Sequence, residues 1–201
     1  MHKGYYQETF SKTEQEKIDQ YIDLAITFNT THNLFSRKDK NEIYNKDILD
    51  CSPIIKLIKP NKTVVDLGSG GGLPGILLSI TKPKNKITLI DSNQKKCYFL
   101  RSVVHTLDLK NTTILNKTLT KENKLGKFDV ITARAFAPIE KIIRLTKNNI
   151  DEKGKYILLK GREEKTQEEL KLLDTKKYRY EIIKLDNKDQ ERNLVLIKNN
   201  E

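Results

Sequence analysis

The run Asp66-Leu67-Gly68-Ser69-Gly70-Gly71-Gly72-Leu73-Pro74-Gly75 constrains this chain more than any other segment. It follows the apolar Thr63-Val64-Val65 and leads into Ile76-Leu77-Leu78-Ser79-Ile80. Glycines between a strand and a helix permit a tight turn whose backbone approaches a ligand closely, so the segment reads as a nucleotide-binding turn. Two ligand classes fit it. Gly70, Gly72 and Gly75 satisfy the G-x-G-x-x-G spacing of a dinucleotide site, with Asp91 in the next strand for a ribose. Asp66 argues for the other class. A carboxylate at the strand end repels pyrophosphate, but it attracts a cation such as the ammonium or sulfonium of S-adenosylmethionine by about 4 kcal/mol at ~4 Å and an effective dielectric of about 20. The methyl donor is therefore the better match. Asp91, with Ser92 beside it, suits the ribose hydroxyls of either cofactor, and a helix N-cap role before Gln94 is compatible with that.

From residue 63 onward, short apolar runs alternate with helix-length segments, as in a parallel sheet covered on both faces. Strands are predicted at 63–67, 86–91, 112–116, 128–132, 155–160, 178–185 and 193–198. Helices are predicted at 74–81, 94–107, 138–148 and 163–173. Only a polar turn, 186–191, separates the last two strands, which should pair as an antiparallel hairpin. The expected fold is α/β: a Rossmann-like, seven-stranded, mostly parallel sheet ending in an antiparallel hairpin. Ahead of it, Ile18, Tyr21, Ile22, Ala25 and Ile26 fall at helical spacing over 14–31, and a second helical stretch over 42–58 is interrupted by Pro53. The 201 residues are expected to form one domain, with a helical portion over 1–60 and the cofactor-binding core over 61–201.

Composition excludes several classes. No apolar run is long enough to cross a bilayer, and the polar opening residues lack the apolar centre of a secretory signal, so a cytoplasmic location is expected. Cys51 and Cys97 and the three histidines are scattered, which argues against a metal site. A net charge of +11 and a pI near 9.4 suit a polyanionic partner such as nucleic acid. An ordinary lysine-rich solvated surface gives the same charge. No heptad seam or interface patch stands out, so a monomer is expected.

A longer set of segments is more specific. It comprises Asp47-Ile48-Leu49-Asp50, the glycine turn with its Leu73-Pro74-Gly75 ending, Leu89-Ile90-Asp91-Ser92, Lys96 with Phe99-Leu100, and Phe128-Asp129. It continues through Ala133-Arg134-Ala135-Phe136-Ala137, Leu159-Lys160-Gly161 and Arg192 with Leu194-Val195, and includes Asn33-Leu34 with Ser36. In these segments the chain resembles, over nearly its whole length, the RsmG (GidB) methyltransferases. The resemblance implies an S-adenosylmethionine-dependent enzyme that methylates N7 of a guanine in the 530 loop of the 16S rRNA of the small ribosomal subunit. It implies donor contacts at Gly68, Leu73, Asp91 and Arg134, with the backbone of Leu119 and Thr120 framing the adenine. The chain departs from the family where His-Ile-Leu-Asp-Ser is replaced by Asp47-Ile48-Leu49-Asp50-Cys51 and where an Arg-His pair is Arg192-Asn193. The stretch at Leu119-Thr120 also lacks the family's acidic residue.

Guanine N7 carries an available lone pair, so no base has to remove a proton, and positioning and electrostatics suffice. Arg134, Lys160 and Arg192 are expected near the ends of the fourth, fifth and seventh strands, where the crevice of an open α/β sheet forms and where they would hold RNA or donor. Each of them also reads as a plain surface charge. Phe136 reads either as a stacking partner for a flipped base or as a core aromatic. Two other functions stay in view: a nicotinamide-dependent oxidoreductase, and a non-catalytic RNA-binding assembly factor.

Overall fold

The computed structural model describes residues 10–32, 37, 39–185 and 191–200; Asn33, Leu34, Ser36 and positions 186–190 of the predicted hairpin turn lie outside the described residues. Its seven strands are β1 (Thr63–Leu67), β2 (Lys86–Asp91), β3 (Thr112–Asn116), β4 (Phe128–Arg134), β5 (Ile150–Lys160), β6 (Tyr178–Leu185) and β7 (Arg192–Asn199). They form one sheet in the order β3-β2-β1-β4-β5-β7-β6. Strand β7 runs antiparallel to both β5 and β6, while the pairings among β1 to β5 are parallel. The chain moves outward from β1 through β2 and β3, then returns to place β4 on the other side of β1. That reversal is a topological switch point, and a crevice opens at the carboxyl ends of the two central strands.

Buried side chains alternate along the strands between two apolar layers. Val64, Ile157 and Leu194 point into one layer, and their neighbours Val65, Leu158 and Val195 into the other. The first layer is covered by α1 (Lys12–His32), the short helices α2 (Lys40–Ile43), α3 (Leu49–Cys51) and α4 (Ile54–Leu57), then α5 (Gly75–Thr81) and α6 (Gln94–Thr106). The second is covered by α7 (Ile139–Thr146) and α8 (Glu163–Leu170). Of the predicted apolar face of α1, Ile18, Tyr21, Ile22 and Ala25 are buried in the first layer, each large side chain contributing about 1.5–3 kcal/mol, while Ile26 packs against it half-buried.

The second helical stretch is more broken than the periodicity suggests. A π-helical segment, Tyr44–Ile48, joins α2 to α3, and Pro53 begins a fresh start as the N-cap of α4. Proline lacks the N–H that would continue a helix, which explains the second break. The wider π turn leaves Asp47 and Asp50 buried at the sheet's carboxyl edge. At α6 the cap is Asn93, whose Oδ1 accepts the Lys96 amide at 3.1 Å; Asp91 instead accepts the Asn93 amide at 2.8 Å. Strand β5 starts earlier than predicted, at Ile150, and α8 ends sooner, at Leu170.

Candidate active site

The glycine turn follows β1 directly. Gly68 and Gly70 have φ of +62° and +55°, values that L side chains rarely adopt, so glycine lets the chain bend back sharply over the strand end without strain. Gly75 is required for a different reason: a Cβ would lie 2.7 Å from Leu89 Cγ and 2.8 Å from Asp66 Oδ2. Asp66 is completely buried beneath the turn, where its Oδ2 accepts the Gly75 amide at 3.1 Å. Its Oδ1 has no hydrogen-bond partner, and burial pushes the carboxyl up to about 7.

Asp91 ties the turn to β2. One carboxylate oxygen accepts the Gly70 amide at 2.8 Å and the other the Asn93 amide at 2.8 Å. Each oxygen keeps a second lone pair, and the side chain borders a cavity of ≈ 380 Å³ together with Gly68, Ser92, Leu119 and Phe136. A larger cavity of ≈ 750 Å³ adjoins it, lined by Gly68, Gly70, Leu73, Arg134, Lys160 and Arg192, among others. Gly68, Lys96, Ala135 and Phe136 belong to the walls of both. The Phe136 ring rests on Gly68 so closely that a Cβ there would come within 2.3 Å of it. Two of the sequence-derived residues stand outside both cavities. Asp66 lies beneath the turn, and the Thr120 amide is engaged by Asn123 Oδ1 at 2.9 Å.

The three predicted basic residues converge because β7 is antiparallel. Arg134 and Lys160 end β4 and β5, while Arg192 begins β7, so all three reach the same edge of the sheet. Each is held by a carboxylate. Arg134 Nη1 donates to Asp47 Oδ1 at 2.7 Å, Arg192 Nε to Asp50 Oδ2 at 2.8 Å, and Lys160 Nζ to Glu169 Oε2 at 2.6 Å. Arg37 approaches the second oxygen of Asp47 at 3.5 Å. Asn193 is buried and donates to the Gly161 carbonyl at 2.7 Å, fixing the loop after β5. Asp47, Asp50, Glu169 and Arg37 had no part in the site read from the sequence. The available signal was the three-residue spacing of Asp47 and Asp50, which places two carboxylates near one helix face. Their partners lie 87 and 142 residues away in the chain.

The larger cavity carries seven basic side chains against three carboxylates, a surplus that suits an anionic ligand. The smaller one sets the Asp91 carboxylate, backbone and the apolar Ile90, Leu119 and Leu145 beside three lysines, Lys96, Lys117 and Lys141, and on the wall of the larger cavity a Cβ at Gly70 would meet no atom closer than 3.7 Å, leaving room along the turn. These features fit an adenosyl group. Among the described residues no His, Cys, Asp and Glu side chains group in threes to hold a metal ion, and no helix is long and apolar enough to cross a membrane.

Solved structures with the same sheet include a SAM dependent methyltransferase from Aquifex aeolicus, with a TM-score of 0.63 at 16% identity over 78% of this chain and 92% of that one. An rRNA methylase from Streptococcus thermophilus gives a TM-score of 0.55 at 15% identity over 74% of this chain and 92% of that one. The sheet and its crevice thus have the Rossmann-like fold of these methyltransferases. The chain belongs to the GidB family, rRNA small subunit methyltransferase G, whose model matches residues 14–195. Ribosomal RNA small subunit methyltransferase G of Brachyspira hyodysenteriae is 37% identical over 188 residues, covering 92% of this chain and 91% of the relative. The Francisella tularensis protein of that name is 37% identical over 187 residues, covering 90% and 88%.

Proposed function

We propose that the chain transfers the methyl group of S-adenosylmethionine to N7 of a guanine in small-subunit ribosomal RNA, working as a single chain in the cytoplasm. The observation that carries this reading is the meeting of two cavities at Gly68 and Phe136, one with the Asp91 carboxylate and apolar walls that suit an adenosyl group and one with the larger excess of cations. When bound, S-adenosylmethionine supplies an electrophilic methyl on a sulfonium. The chain's residues hold the reactants. Asp91 would accept ribose hydroxyls, the Leu119 backbone would frame the adenine, and the Gly68 to Gly70 backbone would follow the rest of the donor.

On the RNA side, Arg134, Lys160 and Arg192 are fixed by Asp47, Glu169 and Asp50, so they meet an anionic substrate already oriented. Arginine matches phosphate with two parallel hydrogen bonds, and N7 of the target stays free to react. No residue has to act as a base, because N7 carries its own lone pair. The oxidoreductase alternative is disfavoured by Asp66: its carboxylate already takes the Gly75 amide at the start of α5, the donor that a pyrophosphate would seek.

Radiolabel from S-adenosylmethionine should pass to small ribosomal subunits or their RNA, and S-adenosylhomocysteine rather than NAD should bind in calorimetry. Arg134→Ala and Lys160→Ala should each slow RNA methylation at least about tenfold, a loss of about 1.4 kcal/mol of transition-state stabilisation, while the protein stays folded. Unchanged methylation in both variants would remove these residues from the site. A chain that binds RNA but neither cofactor would be the assembly factor instead.

A further inference from the structure

A run of aromatic rings leads from the glycine turn to the surface. Tyr21 donates its hydroxyl to the Gly71 carbonyl at 2.9 Å, and its ring lies 6.5 Å from that of Phe99. Phe99 lies 5.0 Å from Phe28, which contacts Tyr98 at 6.3 Å and His32 at 4.3 Å. Tyr21 and Phe99 are buried, Phe28 is half-buried, and His32 and Tyr98 are exposed. Tyr98 stands out because 66% of it is accessible. On α6 its neighbours three residues away in each direction are Lys95 and Arg101, both exposed.

The helices that carry the patch, α6 and α1, are each linked to the crevice. Lys96, two residues before Tyr98, lines both cavities. Asn29, in the last turns of α1, donates to the carbonyl of Arg37 at 3.2 Å, and Arg37 lines the larger cavity. Exposed aromatic rings flanked by cations are what single-stranded nucleic acid requires, since every base has a face to stack and every phosphate a charge to neutralise.

We propose that Tyr98, backed by Phe28 and His32 and flanked by Lys95 and Arg101, is a stacking platform for an unpaired base of the RNA substrate beside the target guanine. The proposal rests on the RNA-methylation reading above and adds a recognition subsite to it. A base seated there anchors the strand outside the crevice while the guanine enters between Phe136 and the basic edge.

The chain contains no tryptophan, so Tyr98→Trp introduces a single indole at the platform. Its fluorescence should be quenched by a short unstructured oligoribonucleotide and not by polyphosphate of equal charge. Tyr98→Ala should bind the same oligoribonucleotide about five- to a hundredfold more weakly by fluorescence anisotropy, Tyr98→Phe should bind it as the parent does, and S-adenosylhomocysteine affinity should be unchanged in both. Absent quenching, equal quenching by polyphosphate, or wild-type RNA affinity in Tyr98→Ala would each overturn the platform. The unmodified chain is assayed for methyl transfer in parallel. Quenching without any methyl transfer would overturn the methylation reading and leave the platform standing, whereas methyl transfer without base-dependent quenching would do the reverse.

Discussion

Asp66 holds a carboxylate whose two oxygens differ: Oδ2 accepts the Gly75 amide, and Oδ1 is buried with no partner. Burial raises the carboxyl from its ordinary value of 3.8 to about 7, against the opposing pull of the Ser69 hydroxyl, the Gly75 hydrogen bond and the Arg134 charge. A raised acid favours the fold in its neutral form, so this contribution is complete below about 3.8 and disappears as pH rises through about 7. The melting temperature of the wild type should therefore fall relative to that of Asp66→Asn across that window. A cationic ligand above the turn reverses the preference and favours the carboxylate. Donor binding at pH 6 should then release nearly one proton, read as a difference between calorimetric heats in buffers of unlike ionisation enthalpy. Release should vanish near pH 8 and in Asp66→Asn; equal heats in all buffers at pH 6 would show that Asp66 does not sense the ligand's charge.

Helix α1 reaches the site without lining it. Its Tyr21 hydroxyl, wholly buried, donates to the Gly71 carbonyl and so braces the middle of the glycine turn. Tyr21→Phe keeps the ring packing and leaves that carbonyl without its donor, a cost of about 1–2 kcal/mol, or roughly 2–8 °C in melting temperature for a chain of this size. Affinity for S-adenosylhomocysteine should fall as well, because the turn loses its brace; a variant that loses stability but not affinity would make Tyr21 purely a core residue. The sequence showed α1 and its buried face, since Ile18, Tyr21, Ile22 and Ala25 repeat at helical spacing. It also showed the turn and the order of strands, whose apolar runs are local in the chain. The phenol's partner was not visible, because hydrogen bonds between elements 50 residues apart leave no periodic trace. The same holds for Asp47, carried by a π segment that no 3.6-residue pattern encodes, and for Asp91, whose two bonds to Gly70 and Asn93 depend on how turn and helix close around it.

At the scale of the whole molecule, a charge of +11 is compatible with two kinds of RNA binding that differ in where the cations act. In one, the entire lysine-rich surface contributes. In the other, binding is confined to the crevice and the Tyr98 platform: the seven basic side chains of the crevice are partly neutralised by Asp47, Asp50 and Glu169, leaving a surplus of four, and Lys95 and Arg101 add two. Single-stranded RNA releases counterions in proportion to the phosphates neutralised, with a logarithmic slope of about −0.7 for each. Confined binding therefore predicts a slope of about −4 for the RNA association constant against salt concentration, and diffuse binding predicts about −8. Confined binding is the expected answer, because three of the crevice's cations meet at one edge of the sheet, already fixed by carboxylates. Lys165 lines the same cavity, so Lys165→Gln should bring the slope about 0.7 closer to zero, whereas Lys84→Gln, on the exposed loop between α5 and β2, should leave it unchanged. Equal effects from the two substitutions would place the RNA on the general surface rather than in the crevice.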